Sequence, residues 1–285
     1  MRLTTIGTGG VFPNTARRQS CAIIETSGET SGETSGETSG ETSGETSGET
    51  SGETSGETSG EILVFDLGNG AVRGMLRAGL DPLFVDRLFF THFHPDHTTD
   101  IPSLMFSMKY GMTEERTKPL RIVGPHPFEE FWGKFKTVWG DWMEPDFLVE
   151  VSELPVESGH SMELPGGALS WTPAKHSPES IAYRLDSTNG ASFAYTGDTE
   201  YAESVVELAR GADTLLIECS APDDAPIPGH LTPSSAARIA SEAEVGRVIL
   251  THLFPPVFEL DLVTEVGKGF DGEIIVAEDG MRLEI

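Results

Sequence analysis

The sequence contains no uninterrupted apolar run approaching the ~18 residues that a membrane helix needs. Its N-terminus, Met1-Arg2-Leu3-Thr4-Thr5-Ile6-Gly7, lacks the long apolar core of a secretory signal. A cytoplasmic location without a membrane partner is therefore the expectation. Cysteine is scarce: Cys21 and Cys219 each sit in an apolar run, which suits buried free thiols better than a disulfide. Positive charge is also scarce, with 19 Lys and Arg against 46 Asp and Glu and a formal net charge of −27. An acidic surface keeps a protein soluble and repels extended nucleic acid at long range. Bound cations would reverse that potential locally.

One segment lacks apolar residues altogether. Residues Thr26 to Glu61 are nine perfect copies of Thr-Ser-Gly-Glu. The eight copies beyond the first carry eight glutamates, and without them the formal charge of −27 would be −19. The tract has nothing with which to build a core, so a solvated, structureless loop is expected. Removing eight copies leaves a strand, a short polar turn with Gly, and a strand, so the tract reads as a hairpin turn expanded by repetition. The rest of the 285 residues is enough for one domain spanning 1–285 with a sizeable core.

Outside the tract the chain is rich in strands, with helices between them. Thr4 to Ile6, Ser20 to Glu25, Ile62 to Asp66, Asp86 to Phe90 and Arg121 to Val123 read as strands. Gly70 to Ala78 reads as a helix. Another carries Ile101, Leu104, Met105 and Met108 at 3/4 spacing, and Phe128 to Trp142 forms an amphipathic third that suits a homodimer contact or the core. The second half repeats the alternation. It has strands at Ala168 to Thr172, Ile181 to Leu185, Ser192 to Thr196, Thr214 to Ile217 and Arg247 to Thr251. Its helices are Tyr201 to Arg210 and Pro233 to Ala243, the latter capped by Thr232. Ile274 to Ala277 and Met281 to Ile285 read as a terminal hairpin around Asp279-Gly280. Hairpins at both ends do not fit a purely parallel sheet. The expected class is α/β, a sandwich of two mixed sheets with helices outside.

The chemistry concentrates at Thr91-His92-Phe93-His94-Pro95-Asp96-His97, between a strand and an apolar helix. In extended chain His92 and His94 point the same way, and Asp96 and His97 at the turn can face a second point nearby. Nitrogen and oxygen donors of this kind suit zinc or a similar metal. Three further donors each follow an apolar strand: His176, Asp198 and His252. His230 lies in Pro228-Gly229-His230-Leu231-Thr232, a loop entering a helix, where a histidine can donate a proton. His126 and His160 lack such a context.

The set His92-x-His94-x-Asp96-His97, His176, Thr196-Gly197-Asp198-Thr199 and Thr251-His252-Leu253 resembles the metallo-β-lactamase superfamily. The resemblance covers almost the whole chain outside the repeat. It implies an αββα sandwich with two divalent ions, zinc by preference with manganese or iron as substitutes. One ion would take His92, His94 and His176, the other Asp96, His97 and His252, and Asp198 would bridge them. Gly7-Thr8-Gly9-Gly10-Val11-Phe12-Pro13 and Gly229-His230-Leu231-Thr232 are similar to the ribonuclease Z and arylsulfatase branch, in which the histidine corresponding to His230 assists the leaving group or binds the scissile anion. Two features depart from tRNA processing. The interval Tyr183 to Asp198 is too short for that branch's tRNA-gripping arm, and the loop Pro13-Asn14-Thr15-Ala16-Arg17-Arg18 keeps only the proline and Arg17 of its basic motif.

The expected activity is a dinuclear phosphodiesterase on small-molecule or nucleotide-type esters, with Asp96 and His230 in catalytic roles. An arylsulfatase, lactonase or thioesterase is the alternative on the same scaffold. A mononuclear iron oxygenase and an inactive scaffold are further alternatives, and the full ligand set weighs against the last.

Overall fold

The computed structural model describes residues 1–12, 14–26, 60–112 and 115–285. The expectation for the repeat falls almost entirely outside them. In chain order the elements are β1 (Arg2–Gly7), β2 (Cys21–Glu25), β3 (Ile62–Phe65), α1 (Ala71–Arg77), β4 (Arg87–Phe89), α2 (Pro95–Thr98), α3 (Ile101–Tyr110), β5 (Leu120–Pro125) and α4 (Phe128–Trp139). They continue with β6 (Val149–Leu154), β7 (His160–Leu164), β8 (Gly167–Pro173), β9 (Ile181–Ser187), β10 (Ser192–Tyr195), α5 (Glu203–Ala209), β11 (Thr214–Glu218), α6 (Pro233–Glu242), β12 (Arg247–Thr251), α7 (Leu262–Val266), β13 (Glu273–Val276) and β14 (Met281–Glu284).

The strands form two seven-stranded sheets, β14-β1-β2-β3-β4-β5-β6 and β13-β12-β11-β10-β9-β8-β7. Both are mixed. β3, β4, β5 and β6 run parallel, as do β10, β11, β12 and β13, while β1, β2, β8 and β9 pair antiparallel with their neighbours. This is the expected αββα sandwich.

The apolar pattern explains the layering. In β12, Val248 and Leu250 face the helices and Ile249 faces the other sheet. In β2, Cys21 and Ile23 face outward and Ala22 and Ile24 inward. Successive side chains leave opposite faces of a strand, so a strand buried on both faces must be apolar throughout. Between the sheets lie Phe65, Phe89, Tyr183, Phe193 and Tyr195, with Phe65 packed against each of the other four rings. Ile101, Leu104, Met105 and Met108 of α3 are buried as their spacing predicts, and they share the outer layer with Phe128 and Trp132 of α4. Cys21 and Cys219 are buried free thiols, and burial raises both well above the usual thiol range, with the charge of Glu218 adding to the effect at Cys219.

Two expectations need correction. The C-terminal strands do not form a hairpin: β13 is parallel to β12 in one sheet, and β14 is antiparallel to β1 in the other. The Asp279 carboxylate accepts from Thr8 N, Thr8 Oγ1, Arg18 N and an Arg18 guanidinium nitrogen, which anchors the turn where the chain passes between sheets. A carboxylate with that many donors fixes the turn against β1 rather than folding β14 onto β13. The amphipathic helix ends at Trp139, because Gly140 has φ 56° and a short 3₁₀ turn through Met143 follows. Strands β6 and β7 have no counterpart in the sequence-based expectation. Both carry exposed residues at sheet margins, so their apolar signal is weak.

β2 ends at Glu25 and β3 begins at Ile62, which pairs with it. The ends of the tract thus leave one end of the first sheet, where Arg2 binds Glu25 and Arg87 binds Glu61. β3 then runs from there to Asp66 at the opposite end, beside the histidine cluster.

Candidate metal centre

The cluster sits at one edge of the sandwich, in the connections that follow β4, β8, β10 and β12. Ligand sites favour that edge because loops there project from a rigid frame. His92 follows β4. His94 caps α2, which carries Asp96 and His97. His176 follows β8, Asp198 follows β10, and His252 follows β12. His92 and His97 are fully buried, Asp96, Asp198 and His252 nearly so, and His94 is exposed.

The seven residues close around two neighbouring points. One group comprises His92, His94, His176 and Asp198, and another Asp96, His97 and His252. His94 Nδ1 lies 3.0 Å from His176 Nε2. His252 Nε2 lies 3.3 Å from both His97 Nε2 and Asp96 Oδ2. Asp198 divides its oxygens between the two. Its Oδ2 is 3.8 Å from His92 Nε2 and 3.7 Å from His176 Nε2, and its Oδ1 is 3.3 Å from both His97 Nε2 and His252 Nε2.

These distances fit cations better than a hydrogen-bond network. Buried polar atoms ordinarily find partners. Yet His92 Nε2 and Asp198 Oδ1 are among the buried side-chain atoms without a well-aligned hydrogen bond among the described residues. Both aim into the cluster. Nitrogen lone pairs facing one another beside carboxylates are the donor set of a borderline divalent metal.

The outer ring nitrogens set which inner nitrogen is free. His92 Nδ1 lies 3.0 Å from Thr91 Oγ1, and His97 Nδ1 2.8 Å from Asp66 Oδ2. His176 Nδ1 donates to Gly229 O at 2.8 Å, and His252 Nδ1 lies 2.9 Å from Ser220 Oγ. A histidine that donates from Nδ1 turns a bare Nε2 inward, as a metal requires. Asp66 also accepts from Thr91 N, Thr91 Oγ1 and Tyr195 OH, and so ties β3, β4 and β10 together behind the cluster.

The backbone carries strain at the same place. Asp66 has φ 58° and His252 φ 55°, a region that non-glycine residues rarely enter. Gly197 also has a positive φ, and a Cβ there would fall 2.7 Å from that of Thr91. Glycine therefore lets Asp198 reach the shared position.

Electrostatics follow from burial and charge. Desolvation and the nearby His97 hold His92 well below the usual imidazole range. Burial pulls His97 in the same direction, but the charges of Asp198 and Asp66 outweigh it and raise the group. Burial alone would raise Asp198, and His252 and His97 reverse this and hold its carboxyl well below the usual range.

His230 flanks the cluster. Its ring stacks on His252 at 5.6 Å, and its Nδ1 lies 3.2 Å from both oxygens of the fully buried Glu218. Burial lowers His230, but the hydrogen bond and charge of Glu218, with Asp198 and Asp96, lift it above the usual imidazole range. Glu218 is itself held by Thr199 N at 2.6 Å and Ser220 Oγ at 2.5 Å. His126 and His160 are surface residues away from this site.

The sequence reading did not single out Asp66, Glu218 or Ser220. A signal was present: Asp66 directly follows β3 and Glu218 closes β11, the same position that marked Asp198 and His252.

The Beta-lactamase superfamily domain matches residues 64–253. The chain belongs to the β-lactamase superfamily. Ribonuclease Z of Methanothermobacter thermautotrophicus is 29% identical over 275 residues, covering 79% of this chain and 87% of that protein. The metallo-beta-lactamase fold protein YhfI of Bacillus subtilis superposes with a TM-score of 0.74 at 22% identity, covering 100% of this chain and 98% of that one. The short form of human tRNase Z superposes with a TM-score of 0.72 at 21% identity, covering 100% and 99%. The protein is a metal-dependent hydrolase of the metallo-β-lactamase fold and resembles ribonuclease Z. No described helix is long and apolar enough to cross a membrane.

Proposed function

We propose that this hydrolase is a phosphodiesterase that holds two divalent ions, zinc by preference, and acts on nucleotide-type esters. The observation that carries this reading is the His230–Glu218 pair beside a donor cluster whose shared carboxylate splits its oxygens between two groups. His92, His94 and His176 would hold one ion, Asp96, His97 and His252 the other, and Asp198 both. When bound, the ions supply Lewis acidity that readies water for attack and neutralises charge on the phosphoryl oxygens.

The remaining steps belong to the chain. Asp96, in contact with His252 and buried, accepts a hydrogen bond from the attacking water and orients it. Glu218 accepts from His230 Nδ1–H and favours the protonated ring, whose Nε2–H can then protonate the departing alkoxide. Thr199 and Ser220 keep the Glu218 carboxylate in place. A general acid of this kind suits an ester whose leaving group is a poor one, such as a ribose hydroxyl.

The kinship with ribonuclease Z supports phosphoryl chemistry, and two features narrow it. Residues 188–191 alone join β9 to β10, so the interval between Tyr183 and Asp198 is a tight hairpin without a tRNA-gripping arm. The acidic chain repels long polyanions. Small nucleotide diesters are therefore the substrate class we assign.

Metal-quantified protein would be assayed on bis(p-nitrophenyl) phosphate, a dinucleoside monophosphate, p-nitrophenyl sulfate and a lactone. Turnover of the two diesters is expected, at about two metals per chain. His230→Ala should lower turnover of the dinucleotide by about 10²- to 10⁴-fold and of the nitrophenyl ester by less. Equal losses on both diesters would refute the leaving-group role, and preference for the sulfate or the lactone would refute the substrate class.

A further inference from the structure

The turn after β1 brings an exposed aromatic ring to the rim of the histidine cluster. Gly9 bridges to Leu253, next to His252. Gly10 lies flat on the rings below: a Cβ there would fall 2.1 Å from Phe254 and 2.8 Å from His252. Glycine thus permits the close approach that holds the turn, with Phe12 two residues on, against Phe254 and His252. Phe12 is half exposed. Its ring meets that of Phe254 edge to face, with centroids 5.2 Å apart. Phe254 is buried and packs in turn on His230 at 5.1 Å and His252 at 5.2 Å.

A single exposed phenylalanine on a surface needs no explanation. This one differs in two ways. It is the outer member of a line of rings that ends on the proton donor assigned above. It also stands on a turn that Gly10 holds directly against Phe254 and His252. With His230 as the proton donor proposed above, its contact with Phe254 would put this line of rings on the leaving-group side.

We propose that Phe12, backed by Phe254, is a stacking platform for a planar aromatic ring on the leaving group, a nucleobase in a nucleotide diester. The proposal rests on the phosphodiesterase reading and makes Phe12 a specificity residue of that site. Base stacking on an aromatic side chain tolerates any base, because every base has a π-face. The platform therefore selects nucleosides as a class over small alkyl alcohols without reading sequence.

The test uses metal-loaded full-length protein and two substrates with the same ester, a dinucleoside monophosphate and its analogue abasic on the leaving nucleoside. The wild type should favour the base-bearing substrate by about tenfold in kcat/KM. Phe12→Ala should bring that ratio close to one, and Phe12→Trp should restore it. An unchanged ratio in Phe12→Ala, or no preference in the wild type, overturns the proposal. If neither ester is cleaved, the phosphodiesterase reading fails and equilibrium titration decides the platform alone. Adenosine monophosphate should then bind more tightly than ribose 5-phosphate to the wild type but not to Phe12→Ala, and equal affinities in the wild type overturn it. Thermal melting of each variant would confirm folding.

Discussion

Asp66→Asn isolates the orienting carboxylate behind the cluster. The change is nearly isosteric, and asparagine tolerates the φ of 58° at this position, so the backbone need not move. What changes is the hydrogen-bond sense. Asp66 presents two acceptors, one facing Thr91 N at 2.8 Å and one facing His97 Nδ1 at 2.8 Å and Tyr195 OH at 2.9 Å. An amide has one acceptor and one donor end. If its oxygen faces Thr91, its NH₂ faces His97 and demands a bare Nδ1. The His97 proton then moves to Nε2, the atom that would hold metal, only 3.3 Å from Asp198 Oδ1. The reverse orientation opposes the NH₂ to the Thr91 amide. Loss of such an outer partner costs about 10- to 100-fold in metal affinity, or about 1.4–2.7 kcal/mol. Competition against a chromogenic chelator would read the affinity directly, with thermal melting of the apo forms as control. Affinity equal to wild type in a folded variant would refute the orienting role of Asp66. Equal loss in Tyr195→Phe would place the effect in the hydroxyl rather than in the His97 contact.

Other perturbations test separate links. Glu218→Gln should reduce dinucleotide hydrolysis by at least about tenfold and nitrophenyl ester hydrolysis by less, because His230 loses the carboxylate that favours its protonated form. Parallel losses on both substrates would contradict this. Phe65→Ala removes the ring on which four others converge between the sheets. It should cost about 3–5 kcal/mol in urea unfolding, and a loss below about 1 kcal/mol would contradict the burial argument. Deleting eight copies of Thr-Ser-Gly-Glu should leave turnover and metal content unchanged, since Glu25 and Ile62 lie at the end of the first sheet opposite the cluster. A fall in either would give the tract a role in the site.

The fold was legible where burial is one-sided or complete. The four α3 positions at 3/4 spacing and the apolar runs of β2, β11 and β12 each reflect a local period that survives folding. β6 and β7 were not legible, because sheet-margin strands with exposed positions carry little apolar signal. The terminal hairpin was misread for a related reason. Asp279-Gly280 is a good turn pair in isolation, and only the donors of Thr8 and Arg18, 271 and 261 residues away in the chain, decide that the turn joins two sheets.

The candidate site divides in the same way. The sequence alone picked out the seven candidate donors, each at the end of an apolar strand or in a short dense cluster, and His230 in a loop entering a helix. Tertiary structure decided what joins them. It split the Asp198 oxygens between two groups, placed Asp66 behind His97 and Glu218 behind His230, and laid Phe12 along a line of rings ending on His230. The donors announce themselves through residue type and local position. Their partners are ordinary acids and aromatics, whose roles depend on distances between strands far apart in the chain, and those distances are set only when the two sheets close on their shared core.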